Sequence, residues 1–168
     1  GVGGSIPVRF PSEEDPGDAG WHLDGGFEAD GGSGRRVNIR SRGAALLALF
    51  LFSDVDEHSA PTRLRPGSHM DTARVLAPAG EAGLEWGEAA RQAAEASAHR
   101  PVVLATGIAG DVFLCHEFLV HAASWPHRGE QPRMMAQPSI VLLSEYPLPA
   151  LSAPSATPAE QAILRSLG

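Results

Sequence analysis

Gly110-Asp111-Val112-Phe113-Leu114-Cys115-His116-Glu117-Phe118-Leu119-Val120-His121 is the stretch on which the reading of this chain turns. Apolar side chains dominate it, and it is too short and too rich in β-branched and aromatic residues for a long helix. It is expected to form two short strands, Asp111–His116 and Phe118–Ala122, around a tight turn. His121 then closes a strand and faces inward. A lone histidine in such a place is usually a hydrogen-bonded core residue, so its meaning depends on what else the chain supplies.

Working outward, the same pattern of short strands recurs. Ile6, Val8 and Phe10 alternate in 2–10, with Pro7 marking an edge or a bend. Val37 and Ile39 alternate in 35–41, and 44–52 is continuously apolar, as expected of a strand buried on both faces. Further strands are expected at 63–65, 102–104 and 134–143, the last bent at Pro138. Residues 11–20 and 21–34 are expected to be loops. Helices are expected at 70–76 and 84–98, the second rich in Ala, Glu, Gln and Arg. Ser68, after Pro66-Gly67, is expected to cap the first helix. Thr157-Pro158-Ala159-Glu160 has the form of a capping box opening a last helix after a proline-spaced tail.

Composition bounds the class. The chain has 168 residues, 43% hydrophobic and 20% charged, enough for one domain with its own core. The expected division is a core over 1–146 and a tail with its helix over 147–168. Glycine and proline account for 33 of the 168 residues, which favours turns and short strands over long helices. The expected fold is mainly β, a double-stranded β-helix of the jelly-roll or cupin-like kind with a few peripheral helices. The chain opens at Gly1 with no initiator Met, so N-terminal truncation of that fold is one expectation.

A formal charge of −7 argues against nucleic acid as the partner. The longest apolar run, 44–52, is far short of the roughly 20 residues of a membrane-spanning helix. With no secretory pattern at its start, the chain is expected in the cytoplasm. One cysteine, Cys115, excludes a disulfide framework and a cysteine-based zinc site. All thirteen basic residues are arginines, which excludes a Schiff-base lysine and a P-loop lysine.

The second decisive triplet is His22-Leu23-Asp24. With seven His and eight Asp in the chain, a His-x-Asp arises by chance about one time in three, so alone it is weak. On extended backbone, however, residues i and i+2 share a face, which puts an imidazole and a carboxylate side by side. With His121 as a distant third ligand, the set is the two-histidine, one-carboxylate facial triad of non-heme Fe(II) sites, with coordination positions left open. Arg133 lies twelve residues further on, where a turn over 125–132 is expected to return the chain on an adjacent strand. The apolar Met134, Met135, Ala136 and Ile140 follow it. An arginine leading into a core wants an anionic partner, and its planar fork suits a carboxylate.

Trp21-His22-Leu23-Asp24, Arg65-Pro66-Gly67-Ser68-His69, Gly110-Asp111, His121 and Arg133 occur in that order and at about those spacings in the phytanoyl-CoA dioxygenase family. Over about residues 4–143 the chain resembles a bacterial member of this Fe(II)- and 2-oxoglutarate-dependent oxygenase superfamily. The resemblance implies that His22, Asp24 and His121 are iron ligands and that Arg133 binds the distal carboxylate of 2-oxoglutarate. It implies hydroxylation of a C–H bond of a small organic substrate by dioxygen, with release of succinate and CO2. Retention of the carboxylate at Asp24 favours this, or a desaturation variant of it, over halogenation. Family members usually carry a long N-terminal region, which is expected to be the part truncated here, and a glutamine that some have between the two ligands is Leu23 here. Asn38, beside the iron-binding loop, is a further candidate for contact with co-substrate or substrate, and Arg40 on the same strand is an alternative for substrate. Trp21 is expected to pack beside that loop. Asp111 is expected to shape the turn before its strand. His69 is a candidate to line the mouth of the site rather than a ligand, and His116, His127 and His58 lack a partner at ligand spacing. Two rival readings remain: a cupin-like protein holding a non-redox metal, and a fragment that keeps the motifs but not a working site. Neither the substrate nor the oligomeric state is legible.

Overall fold

The computed structural model describes residues 4–29, 31–32, 34–40, 42, 45–140, 142, 144, 146–147 and 156–168. Its strands are β1 (Gly4–Ser5), β2 (Val8–Arg9), β3 (Phe27–Glu28), β4 (Arg35–Val37), β5 (Leu46–Leu51) and β6 (Arg63–Leu64), followed by β7 (Leu84–Glu85), β8 (Val103–Leu104), β9 (Val112–His116), β10 (His121–Ala122) and β11 (Arg133–Ile140). Three helices interrupt them: α1 (Ser68–Leu76), α2 (Trp86–Ala96) and α3 (Pro158–Leu167). No helix among the described residues is long and apolar enough to cross a membrane.

The fold is mainly β, and every described strand pair is antiparallel. The largest sheet runs β1-β11-β5-β9, with β2 also on β11; two three-stranded sheets run β10-β6-β8 and β3-β4-β7. Among the described residues these sheets do not close into one barrel. The large sheet and the β10-β6-β8 sheet share a core. Leu47, Leu49 and Leu51 of β5 and Met135 of β11 meet Leu64 of β6 together with Leu119 and Ala105. A second core gathers Leu23, Val37, Phe118 and Val120 against Ala73 and Leu76 of α1, Ala89 and Ala93 of α2, and Ile163 of α3.

Several sequence expectations change in detail. Of the expected strand over 2–10, residues 4–10 form two strands broken at Ile6-Pro7, and Val2 and Gly3 lie outside the described residues. β5 is covered on both faces, with Leu47, Leu49 and Leu51 buried on one and Ala48 buried between half-buried Leu46 and Phe50 on the other, while Phe52, just beyond its end, is 54% exposed. Residues 21–34 are not all loop, because Phe27–Glu28 pairs with β4. The expected helix over 84–98 begins only at Trp86, since Leu84–Glu85 pairs with β4 instead. The expected strand 118–122 shrinks to His121–Ala122, with a turn at Glu117–Phe118. Of the 134–143 strand, Val141 and Leu143 lie outside the described residues, and the strand begins one residue earlier, at Arg133. The capping box on α3 is present, with Thr157 and Glu160 bonded reciprocally. Asp111 does shape its turn, its carboxylate accepting from the Ile108 amide at 3.0 Å.

Candidate iron centre

His22, Asp24 and His121 are brought together. One ligand atom from each lies within 4.8 Å of the others. Backbone alternation explains the convergence. Phe118 and Val120 are buried in the helical core and Leu119 in the inter-sheet core. By the two-residue period His121 takes Leu119's side. Leu23 is buried in the helical core, so its neighbours His22 and Asp24 face the other way. The two segments are locked in register by paired backbone bonds, His22 N–H to His121 O at 2.9 Å and His121 N–H to His22 O at 3.1 Å. The imidazole centroids stand 4.4 Å apart.

The rings are oriented alike. His22 Nδ1 is 2.8 Å from the Gly20 carbonyl, and His121 Nδ1 is 3.0 Å from the Leu119 carbonyl. Each Nδ1 therefore carries the proton, and each Nε2 keeps its lone pair for a ligand. His121 Nε2 is buried, makes no hydrogen bond, and lies 3.7 Å from Asp24 Oδ2. Burial pushes the His121 imidazole toward its neutral form against the pull of Asp24, with His22 adding to the burial effect. A buried nitrogen left bare beside a second imidazole and a carboxylate is costly unless something occupies it. Two imidazole nitrogens and one carboxylate oxygen fit a divalent iron.

Arg133 opens β11, on the large sheet, whereas His121 sits on β10 of the neighbouring sheet. The expected return on an adjacent strand does not occur: the two residues belong to sheets that share the inter-sheet core. Arg133 is 3% exposed. Its Nη1 donates to the Ala60 carbonyl at 2.7 Å, while Nε is buried without a partner. Burial and the neighbouring Arg9 push it down to about 10, with only Asp18 opposing. Asp18 is itself paired with Arg9. A buried guanidinium so incompletely matched is suited to a carboxylate guest.

Asn38 is buried, and its carboxamide is engaged locally: Nδ2 donates to the Glu81 carbonyl at 3.0 Å and Oδ1 accepts from the Arg42 amide at 3.3 Å. Trp21, next to His22, has the Arg65 guanidinium 4.0 Å over its ring and that of Arg63 at 4.7 Å. A cavity of about 260 Å³ opens at Asp24, with Arg35, Leu47, Glu117 and Gln137 on its walls.

Three contributions escaped the sequence reading. Ser68 does not cap α1. The N-cap is Gly67, in a left-handed conformation (φ 89°) that favours glycine, and Ser68 is the first helical residue. Its hydroxyl instead accepts from the Val120 amide at 2.8 Å, and Thr72 donates to the Phe118 carbonyl at 3.0 Å. The signal was a pair of small hydroxyls four apart on one helix face. His127, buried beside Arg133, accepts from the Gly129 amide at 3.1 Å. Burial and the Arg133 charge lower its pKa. Glu117, an acid inside an apolar run, is buried and hydrogen-bonded to Tyr146.

The fold is similar to that of a non-heme alpha ketoglutarate dependent carbocyclase, SnoK from nogalamycin biosynthesis, at a TM-score of 0.56 and 24% identity over 81% of this chain and 47% of that one. AviO1 from Streptomyces viridochromogenes Tue57 lies further off, at a TM-score of 0.49 and 19% identity over 87% of this chain and 53% of its own. The non-heme alpha ketoglutarate dependent epimerase SnoN, also from nogalamycin biosynthesis, gives 0.44 and 17% over 79% and 42%. The chain thus spans about half the length of these structures. No curated protein matches it. Residues 8–135, which hold all three candidate ligands and Arg133, match the phytanoyl-CoA dioxygenase (PhyH) family, and the chain belongs to that family.

Proposed function

We propose that this chain carries the iron and co-substrate sites of an Fe(II)- and 2-oxoglutarate-dependent dioxygenase that hydroxylates a C–H bond of a small organic molecule, in a fold of the jelly-roll kind. The observation that carries the reading is the pairing of two incomplete sites. A bare, buried His121 Nε2 sits beside His22 and Asp24, and a buried Arg133 guanidinium lacks a full set of partners. A cupin-like protein with a non-redox metal would need the first but not the second.

When bound, iron with 2-oxoglutarate supplies the activation of dioxygen, with succinate and CO2 as the co-products. The protein's part is positional. His22 and His121 present Nε2 because the carbonyls of Gly20 and Leu119 hold Nδ1–H. Asp24 adds the negative charge that a dication favours. Arg133 receives the distal carboxylate, with Ala60 fixing one arm of its fork. Asp24, whose side chain is 48% exposed, borders the cavity through which a prime substrate would meet the centre. Asn38 acts one step back, by bracing the corner at Glu81.

The test is turnover of purified protein in air with added Fe(II). The expected result is consumption of 2-oxoglutarate matched by succinate, lost in Asp24→Ala and in His121→Ala. Consumption unchanged by either substitution, or none by the parent, overturns the reading.

A further inference from the structure

The three candidate ligands are not equally restrained. His22 and His121 are bonded to each other through the backbone, and each ring is fixed through Nδ1. Asp24 has neither restraint. Its carboxylate accepts no hydrogen bond from a described residue, and Gly25 and Gly26 follow it. Its orientation depends on the backbone of residues 23–24, which lies beyond the His22–His121 bridge.

Two side chains outside the triad hold that backbone. Trp86, the first residue of α2, donates its indole Nε1–H to the Leu23 carbonyl at 2.9 Å. Arg35, the first residue of β4, donates from Nη2 to the Asp24 carbonyl at 3.2 Å. The donors brace one another, since the Arg35 guanidinium carbon stands 5.8 Å from the Trp86 ring centroid. They also come from paired elements: β4 and β7 share a ladder, and Trp86 follows β7 directly. Gly26 makes the approach possible. It has φ 138°, and a Cβ there would come within 2.8 Å of Arg35 Nε and 3.0 Å of the Arg36 carbonyl.

We propose that Trp86 and Arg35 are positioning residues for the metal centre. By holding the carbonyls of Leu23 and Asp24, they keep the Asp24 carboxylate turned toward His22 and His121. The proposal rests on the reading of the triad as a metal site. Outer partners that orient a metal ligand typically change metal affinity 10- to 100-fold when removed. Trp86→Phe keeps the ring in its place and deletes only the N–H. Arg35→Met keeps most of the stem and deletes the donor.

The experiment is calorimetric titration of Co(II) into metal-free parent, Trp86→Phe, Arg35→Met and Asp24→Ala. It is run well below the melting temperature of each, as measured by circular dichroism. A purely structural role for Trp86 or Arg35 would lower melting without changing affinity in the folded protein. The expected result is at least tenfold weaker Co(II) binding in Trp86→Phe and in Arg35→Met, in the same direction as Asp24→Ala. Affinity within twofold of the parent in either variant, while Asp24→Ala binds clearly more weakly, overturns the positioning role and leaves the triad standing. Equal binding by the parent and Asp24→Ala removes the triad itself, and the positioning role with it.

Discussion

At the residue scale, the central contrast is between Asp24 and Arg133. Asp24 is a partly exposed carboxylate beside two imidazoles, a donor set that suits a cation. Arg133 is a buried cation with one carbonyl partner and an unpartnered Nε, which suits an anion. Arg133→Ala leaves the distal carboxylate of 2-oxoglutarate without its partner in a buried site. Truncating one member of such a pair costs about 2–5 kcal/mol, or roughly 30- to several-thousand-fold in affinity. The expected outcome, read by titrating 2-oxoglutarate into iron-loaded protein, is a loss in that range with iron affinity little changed. Arg133→Lys recovers only part, because an ammonium cannot form the bidentate fork. The triad was legible in the sequence because i and i+2 on extended backbone must share a face, and because His121 ends a run whose apolar residues mark it as inward-facing. The sheet that carries Arg133 was not legible. Residues 123–132 cross between sheets, and no local pattern distinguishes that route from a tight return to the next strand.

At the element scale, α1 does more than cover a sheet. Ser68 and Thr72 bind the backbone of residues 118–120 just ahead of His121, so the helix sets the path of the ligand-bearing strand. Ser68→Ala leaves the buried Val120 amide unpaired, a loss of about 1–3 kcal/mol. Urea denaturation of the metal-free protein is expected to read that loss, together with weaker metal binding. Thr157→Ala removes the cap of α3, costs about 1 kcal/mol, and is expected to leave metal affinity unchanged. The difference between the two variants separates a helix that guides the site from one that only packs. α3 was fully legible, since Thr157-Pro158-Ala159-Glu160 is a local motif. The role of Ser68 was not, because its partner is 52 residues away. Likewise, 84–98 has helical composition throughout, but pairing of Leu84–Glu85 with β4 overrides local propensity at its start.

At the scale of the whole molecule, buried and half-buried histidines contribute to the response to mild acid. Burial lowers the pKa of His69, His121 and His127, and that of His116 to about 4. His116 is also fixed in one neutral tautomer, accepting from the Phe118 amide at 3.1 Å while Nε2 faces the Ala159 carbonyl at 3.2 Å. A histidine whose folded pKa lies below its unfolded value of about 6.5 binds more protons unfolded than folded between the two values. Its stabilising contribution is therefore present above pH 6.5 and is lost as the pH falls toward 4. His116 alone accounts for about 2 kcal/mol between pH 7 and pH 5. The expected outcome is a melting temperature that drops over that interval, and drops less in His116→Gln.

The same whole-molecule arrangement, two sheets sharing a core with His121 on one and Arg133 on the other, is tested most directly by anaerobic titration. Fe(II) and then 2-oxoglutarate are added to the purified chain, and the visible spectrum is followed. The expected result is a weak metal-to-ligand charge-transfer band that appears only when both are present. It should be absent in Asp24→Ala and should require far more 2-oxoglutarate in Arg133→Ala. A parent protein that shows no band and no 2-oxoglutarate-dependent change at saturating iron would contradict the assignment of these residues to an iron and 2-oxoglutarate site.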